Sequence, residues 1–555
     1  MKKKKQSNTE QGFKTEYNKW RRLPDLTEAE RAQLISMTDE EQHECFYRRV
    51  PFGTAGMRGK VGLGSNRINR YTIRLAAWGM AQLLGRDAKV AIAYDTRNDS
   101  RTFAEEAAKV LAHAGLHVLL FDRPSPVPLL SYTIRELQCD GGAVVTASHN
   151  TKAYNGFKTY DASGAQMGPE KTEAIFGWMQ QNTDPLDIPR CESLSQENIE
   201  WIGEDISQRF MEAAAACSRL KEQRAKDELY IVYTSLFGSG RDFVLGTLKN
   251  DGFSHVQLVE EQAEFNGEFP GLRKPNPEEP EVFRLAERKA LQTHADVLIG
   301  TDPDSDRIGA GVVVGDQVMY LSGNQIGALL TDFLSKDTEK DGKKLVTTIV
   351  TGDLGERIVT SRGGSVIRTL TGSKFVCNEI NRMERGQFLF AYEESHGYIG
   401  GTHIRDKDGV SAAMLFCEAA AWHKAQGRTV ADALEALYRE HGYYIDEQDS
   451  FVFEGSKGAK MMQKIMTRLR SRGASVFAAL GKPERVLDYK KGIENLPVSD
   501  VLKFCFSSGS WIAVRPSGTE PKIKFYYCIR AESREAAQER FEKVQESIEE
   551  FLRTF

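Results

Sequence analysis

Ser148 lies in the run Val144-Val145-Thr146-Ala147-Ser148-His149-Asn150, where a short apolar stretch breaks into a polar loop. A serine hydroxyl is a poor nucleophile unless a neighbouring base activates it or it already carries an ester. No Gly-x-Ser-x-Gly elbow surrounds this serine, so an acyl-hydrolase reading starts weak. A phosphorylated serine would require a divalent cation and cationic clamps elsewhere in the chain. Asp302, Asp304 and Asp306 supply the first requirement, since they follow the apolar run Val297-Leu298-Ile299-Gly300 at alternate positions. Alternate side chains on extended backbone share one face, so the three can converge on one cation. Oxygen-only ligands suit Mg²⁺. A calcium loop of the EF-hand type needs Gly at its sixth position and Glu at its twelfth, where this chain has Arg307 and Val313.

Four segments then occur in order: Thr146-Ala147-Ser148-His149-Asn150, Asp302-Pro303-Asp304-Ser305-Asp306-Arg307, Glu393-Glu394-Ser395-His396-Gly397-Tyr398, and Arg515-Pro516-Ser517-Gly518-Thr519-Glu520-Pro521. Together they resemble the four signature loops of the α-D-phosphohexomutases, over nearly the whole chain from about Phe52. Phe52-Gly53-Thr54-Ala55-Gly56-Met57-Arg58-Gly59, Pro275-Asn276-Pro277-Glu278-Glu279-Pro280 and Arg405-Asp406-Lys407-Asp408-Gly409 resemble the long phosphoglucomutase/phosphomannomutase branch, which includes bacterial α-phosphoglucomutases and phosphopentomutase-like enzymes. One departure is Thr151, where the family usually has proline after Ser-His-Asn.

The resemblance implies a phosphate transfer between O1 and O6 of a sugar, through a bisphosphate intermediate. Ser148 is then the phosphoserine, and it completes a Mg²⁺ site with Asp302, Asp304 and Asp306. Arg58, Lys158 and His149 fall near the transferring phosphate, and Lys407 matches a lysine proposed as general base. Such a base requires its pKa to be lowered by burial or nearby positive charge. Glu393 and Ser395 are implied to hold sugar hydroxyls, with Gly372 and Arg307 also at the substrate. Arg515, Ser517, Gly518, Thr519 and Lys524 are implied to cradle the phosphate that is not reacting. Glucose 1-phosphate and glucose 6-phosphate are the expected pair, with a sugar 1,6-bisphosphate as activator. Phosphopentomutase, phosphomannomutase or glucose 1,6-bisphosphate synthase activity stays open. A phosphate-ester hydrolase would have no need of a distal cradle.

The resemblance implies a phosphorylated monosaccharide as partner. Of the 555 residues, 40% are hydrophobic and 27% charged, and the formal net charge of −4 gives no basic field for nucleic acid. Lys2 to Lys5 form a basic run with no apolar stretch behind it, so it is not read as a signal peptide. No membrane span and no obligate protein partner are expected. The eight scattered cysteines form no Cys-x-x-Cys pair and read as reduced residues of a cytoplasmic protein.

The elements that must position these groups alternate. Strand-like Val90 to Tyr94 and Val118 to Phe121 flank a helical pattern from Ala104 to Ala114, and the alternation recurs near Leu229 to Thr234, Val297, and Leu345 to Val350. The expected architecture is α/β: three similar mixed-sheet domains around a cleft plus a smaller C-terminal α+β domain. The boundaries are expected at 1–225, 226–337, 338–460 and 461–555. The C-terminal domain is expected to close over the cleft.

Overall fold

In the computed structural model, the described residues are 10–53, 56–181, 184, 187–336, 342–453, 455–493, 495–517 and 522–555. Lys2 to Lys5, Gly518 and Thr519 lie outside them. Four sheets organise the chain. The first runs Phe52–Gly53, Gly56–Lys60, Tyr154–Asp161, Gly141–Val145, Lys89–Tyr94, His117–Phe121, Ile199–Ile202. The second runs Gln317–Leu321, Ile308–Val314, Val297–Thr301, Ile231–Thr234, Val256–Leu258. The third runs Ser365–Thr369, Lys344–Thr348, Phe388–Glu393, Gly397–Ile399.

One pattern repeats through these three sheets. Three parallel strands stand in the order second, first, third, and a fourth returns antiparallel beside the third. The sequence shows no clear repeat, but the topology does. In each unit the connection from third strand to fourth carries one of the first three signature loops. Each loop also holds a non-glycine residue in the left-handed region: Ser148 at φ 51°, Ser305 at φ 53° and His396 at φ 62°. Such backbone costs on the order of 1–3 kcal/mol and persists only where its surroundings enforce it.

The inner strands read as continuous apolar runs because helices cover both faces. Val90, Ala91, Ile92 and Ala93 are fully buried, with Ala91 and Ala93 in one core and Val90 and Ile92 in the other. The fourth sheet is antiparallel throughout, in the order Tyr443–Val452, Lys522–Ala531, Trp511–Pro516, Leu502–Cys505, Arg485–Asp488. Helices Gly455–Val476 and Arg534–Leu552 pack on it around Ile465, Leu469 and Val544.

Two expected boundaries move. Helix Gly323–Ser335, placed by sequence in the second unit, packs against strand Phe388–Glu393 and helix Leu354–Ser361 of the third. Strand Tyr443–Val452, placed in the third unit, pairs along its whole length with Lys522–Ala531 of the fourth. Grouping each element with the sheet it covers, we propose units at about 10–203, 204–321, 322–442 and 443–555. All eight cysteines are free thiols. Among the described residues no helix is long and apolar enough to cross a membrane.

Candidate active site

Ser148 is buried where strand Gly141–Val145 ends. Its Oγ donates to Asp302 Oδ2 at 2.7 Å and lies 3.1 Å from His149 Nδ1. Its amide donates to Thr146 Oγ1 at 2.8 Å. A single guanidinium holds the loop: Arg97 donates to the carbonyls of Ser148 and Asn150, to that of Thr151 at 2.9 Å and to that of Tyr154 at 3.1 Å. Arg97 is itself buried beside Asp95, at 3.3 Å, and its guanidinium covers the Phe269 ring. Thr151 removes the stiffness a proline would give, but its carbonyl lies under the same clamp. Sequence reading missed this clasp of Asp95, Arg97 and Thr146. Its available signal was Asp95-Thr96-Arg97 directly after the apolar strand Lys89–Tyr94.

Asp302, Asp304 and Asp306 converge from the second unit, fully buried, with their ligand atoms within 4.8 Å of one another. Asp304 Oδ1 and Asp306 Oδ1 are buried with no hydrogen-bond partner among the described residues. Buried carboxylate oxygens left unpaired are costly, and an oxygen-only trio of this kind fits a hard divalent cation. Burial and the neighbouring carboxylates push Asp302 well above the usual range. Burial also raises Asp304, but the Lys158 ammonium outweighs it and the net shift is downward.

Cations ring the trio. Lys158 Nζ donates to Asp304 Oδ2 at 2.9 Å, and Lys407 Nζ pairs with Asp306 Oδ2 at 2.7 Å. The Arg307 amide donates to Asp302 Oδ1 at 3.1 Å, while its guanidinium pairs with Glu278 and lies 3.6 Å from Asp306. Burial alone would lower the Lys407 pKa, but Asp306 reverses that and the net shift is upward. The Asp306 ion pair thus works against the lowered ammonium that a neutral-pH base requires. His149 moves the other way, held well below its ordinary value by burial and then by Arg307, Arg58, Lys407 and Arg97. It is a neutral ring at the serine. Arg58 reaches this field from strand Gly56–Lys60, where it sits opposite Gly156.

The third unit supplies the loop that follows strand Phe388–Glu393. Glu393 is buried and its Oε1 accepts from the Gly372 amide at 2.7 Å, which brings two expected substrate residues together. Burial raises the Glu393 pKa, with Lys407 opposing. Ser395 is half-buried beside it. His396 Nδ1 lies 2.9 Å from the Ile308 carbonyl, so it ties this loop to the second sheet. Behind it, Asp406 accepts from Tyr160 and Gln166 of the first unit at 2.8 and 2.9 Å, which seats the Lys407 loop.

From the fourth unit, Arg515 and Lys524 pair across adjacent strands. Ser517 N donates to the Lys522 carbonyl at 2.8 Å, closing the stem of the distal loop. Burial lowers the Lys524 pKa, and its Nζ donates to Gln448 at 3.0 Å. A cavity of roughly 330 Å³ lies between this unit and the second and third, lined by Glu278, Glu394, His396, Gln448 and Tyr526.

Four family models match in chain order: "Phosphoglucomutase/phosphomannomutase, alpha/beta/alpha domain I" at residues 49–185, domain II at 208–315, domain III at 322–441, and the C-terminal domain at 460–548. A phosphoglucomutase of Staphylococcus haemolyticus is 36% identical over 535 residues, which cover 93% of this chain and 96% of that one. A phosphoglucomutase of Staphylococcus aureus (strain MRSA252) is 35% identical, covering 89% and 92%. Among solved structures, the open form of the Paramecium phosphoglucomutase parafusin superposes with a TM-score of 0.67 at 18% identity, covering 87% and 90%. A phosphoglucomutase/phosphomannomutase family protein from Burkholderia thailandensis gives 0.67 at 19% identity, covering 90% and 96%. At such identities these two likenesses concern the fold alone.

Proposed function

The chain belongs to the phosphoglucomutase/phosphomannomutase family, and from that premise we propose that it interconverts glucose 1-phosphate and glucose 6-phosphate through a phosphoserine at Ser148. The observation that carries this reading is the buried meeting of Ser148 Oγ with Asp302, 2.7 Å away, inside a ring of Lys158, Lys407 and Arg307. That ring suits an anion of high charge, not an acyl group.

The phosphoryl group leaves Ser148 Oγ for the free sugar hydroxyl, giving the 1,6-bisphosphate and a free serine. The sugar turns end for end, and its other phosphoryl group returns to Ser148. A sugar 1,6-bisphosphate therefore also primes an unphosphorylated enzyme. Phosphoryl transfer depends mostly on positioning and on neutralising the equatorial oxygens. Lys158, Arg58 and Arg307 supply fixed positive charge. The proton given up by the sugar hydroxyl is matched by the one that Ser148 Oγ takes as its ester breaks, and His149, a neutral ring 3.1 Å from Oγ, orients that oxygen. Mg²⁺, held by Asp302, Asp304, Asp306 and a Ser148 phosphate oxygen, would supply further neutralisation of the phosphoryl charge.

Glu393, Ser395 and the Gly372 backbone grip sugar hydroxyls, and Gly372 at φ 124° takes a backbone shape that other residues rarely adopt. Arg515, Ser517, Gly518, Thr519 and Lys524 hold the idle phosphate. Binding at that remote end converts into rate at the reacting end.

Ser148→Ala tests the reading in a coupled assay of glucose 1-phosphate to glucose 6-phosphate with Mg²⁺ and a trace of glucose 1,6-bisphosphate. Turnover is expected to vanish while the melting temperature stays near that of the wild type. A variant that retains turnover would refute the role of Ser148.

A further inference from the structure

Three groups from distant parts of the chain meet behind the site. Cys217 follows helix Glu204–Ala215, His403 lies in the loop after strand Gly397–Ile399, and Asp408 caps helix Gly409–Ala425. Cys217 Sγ lies 3.6 Å from His403 Nδ1, and His403 Nε2 lies 3.3 Å from Asp408 Oδ2. Asp408 is fully buried; its Oδ1 accepts from the Val410 and Ser411 amides, while Oδ2, like His403 Nε2, makes no hydrogen bond among the described residues and meets the ring only as an ion-pair contact. Tyr132 and Phe210 cover the ring, at 6.5 and 6.1 Å between centroids, and Arg135 ends on the nearby Thr402 carbonyl. A Cβ added to Gly401 would come within 2.4 Å of Cys217 Sγ. Glycine there lets the sulfur and the His403 ring pack directly against the backbone.

A thiol, an imidazole and a carboxylate in line form the arrangement that makes a cysteine nucleophilic, because the carboxylate holds the ring charged and the ring stabilises thiolate. We propose that Cys217 is an activated thiol, a modification site for small electrophiles and hydroperoxides, whose state is felt at the Lys407 loop. Burial opposes a charge on His403, but Asp408 and Cys217 outweigh it and raise its pKa to about 9. The ring is then cationic at neutral pH. With a hydroperoxide, the thiolate sulfur attacks the terminal oxygen and an S–O bond forms as the O–O bond breaks. The departing oxygen takes the imidazolium proton, leaving a sulfenic acid and water or an alcohol. An oxygen added between Cys217 and His403 crowds Gly401 and pushes His403 from Asp408, next to Lys407 and its ion pair with Asp306.

The test is the rate of iodoacetamide alkylation at pH 7, read by peptide mass spectrometry on the full chain. Cys191 and Cys505, likewise half-buried, are internal references. Cys217 is expected to react about tenfold faster than either, as a thiolate favoured by a neighbouring cation does. The excess should disappear in His403→Gln. Hydrogen peroxide should slow turnover of the wild type and spare Cys217→Ser. Equal rates at the three cysteines, or an excess that survives His403→Gln, would overturn the activation. Peroxide inhibition undiminished in Cys217→Ser would overturn the link to Lys407.

Discussion

Arg97 does for the Ser148 loop what neither Ser148 nor its neighbours can do. Four carbonyls of one loop, at residues 148, 150, 151 and 154, converge on its guanidinium, and Asp95 balances its charge. Arg97→Met would strand Asp95 as a buried, uncompensated charge. Removing one partner of a buried pair costs about 3–5 kcal/mol, so the urea midpoint should fall by that energy divided by the slope m of the transition. Turnover should fall with it, because the serine backbone loses its hold at φ 51°. A variant as stable and active as the wild type would show that the loop holds itself. Arg97→Lys should not rescue, since an ammonium cannot present a planar fork to four acceptors.

At the scale of elements, the helices that cover the sheets carry their own vulnerabilities. Helix Gly409–Ala425 is buried on nearly every side and contains His423, whose two ring nitrogens find no partner among the described residues. Burial, with Lys336 nearby, lowers the His423 pKa to about 4. The unfolded chain then binds a proton that the folded one refuses between about pH 6.5 and pH 4. This group's contribution is intact above pH 6.5 and is lost as the pH falls, by up to roughly 3 kcal/mol. His423→Phe should flatten that part of the stability profile; an unchanged acid slope would exclude the ring as its source. The elements also mark what the sequence could reveal. Each signature loop was legible because chemistry there needs fixed residue types in a short run, as with Asp302, Asp304 and Asp306. The Arg97 clasp was not, because its acceptors are carbonyls, which any residue provides. The unit boundaries proposed above differ from the expected ones for a related reason. Helix Gly323–Ser335 starts two residues after a strand of one unit and packs on another, and nothing local marks that choice. Gly518 and Thr519 were read from a loop outside the described residues.

Over the whole molecule, three repeats of one sheet pattern carry three loops of like position, and the fourth sheet carries Arg515 and Lys524 on adjacent strands. The third and fourth units meet through the Lys503 ammonium on the Ile349 carbonyl at 2.9 Å and Trp511 on Asp353 at 3.0 Å. Burial lowers the Lys524 pKa and the nearby carboxylates of Glu394 and Glu278 oppose it, so this ammonium lies within reach of the second and third units. Glucose 1,6-bisphosphate should draw the fourth unit inward, lowering the radius of gyration in solution scattering and excluding water from the phosphoserine. A radius that the bisphosphate leaves unchanged would contradict closure. The central claim is that the phosphate on Ser148 is the one the sugar receives. Enzyme carrying oxygen-18-labelled phosphate on Ser148, mixed for a single turnover with unlabelled glucose 1-phosphate, tests it most directly. The label should leave the serine and appear on C6 of the sugar as glucose 6-phosphate forms; product formed while the label stays on Ser148 would contradict it.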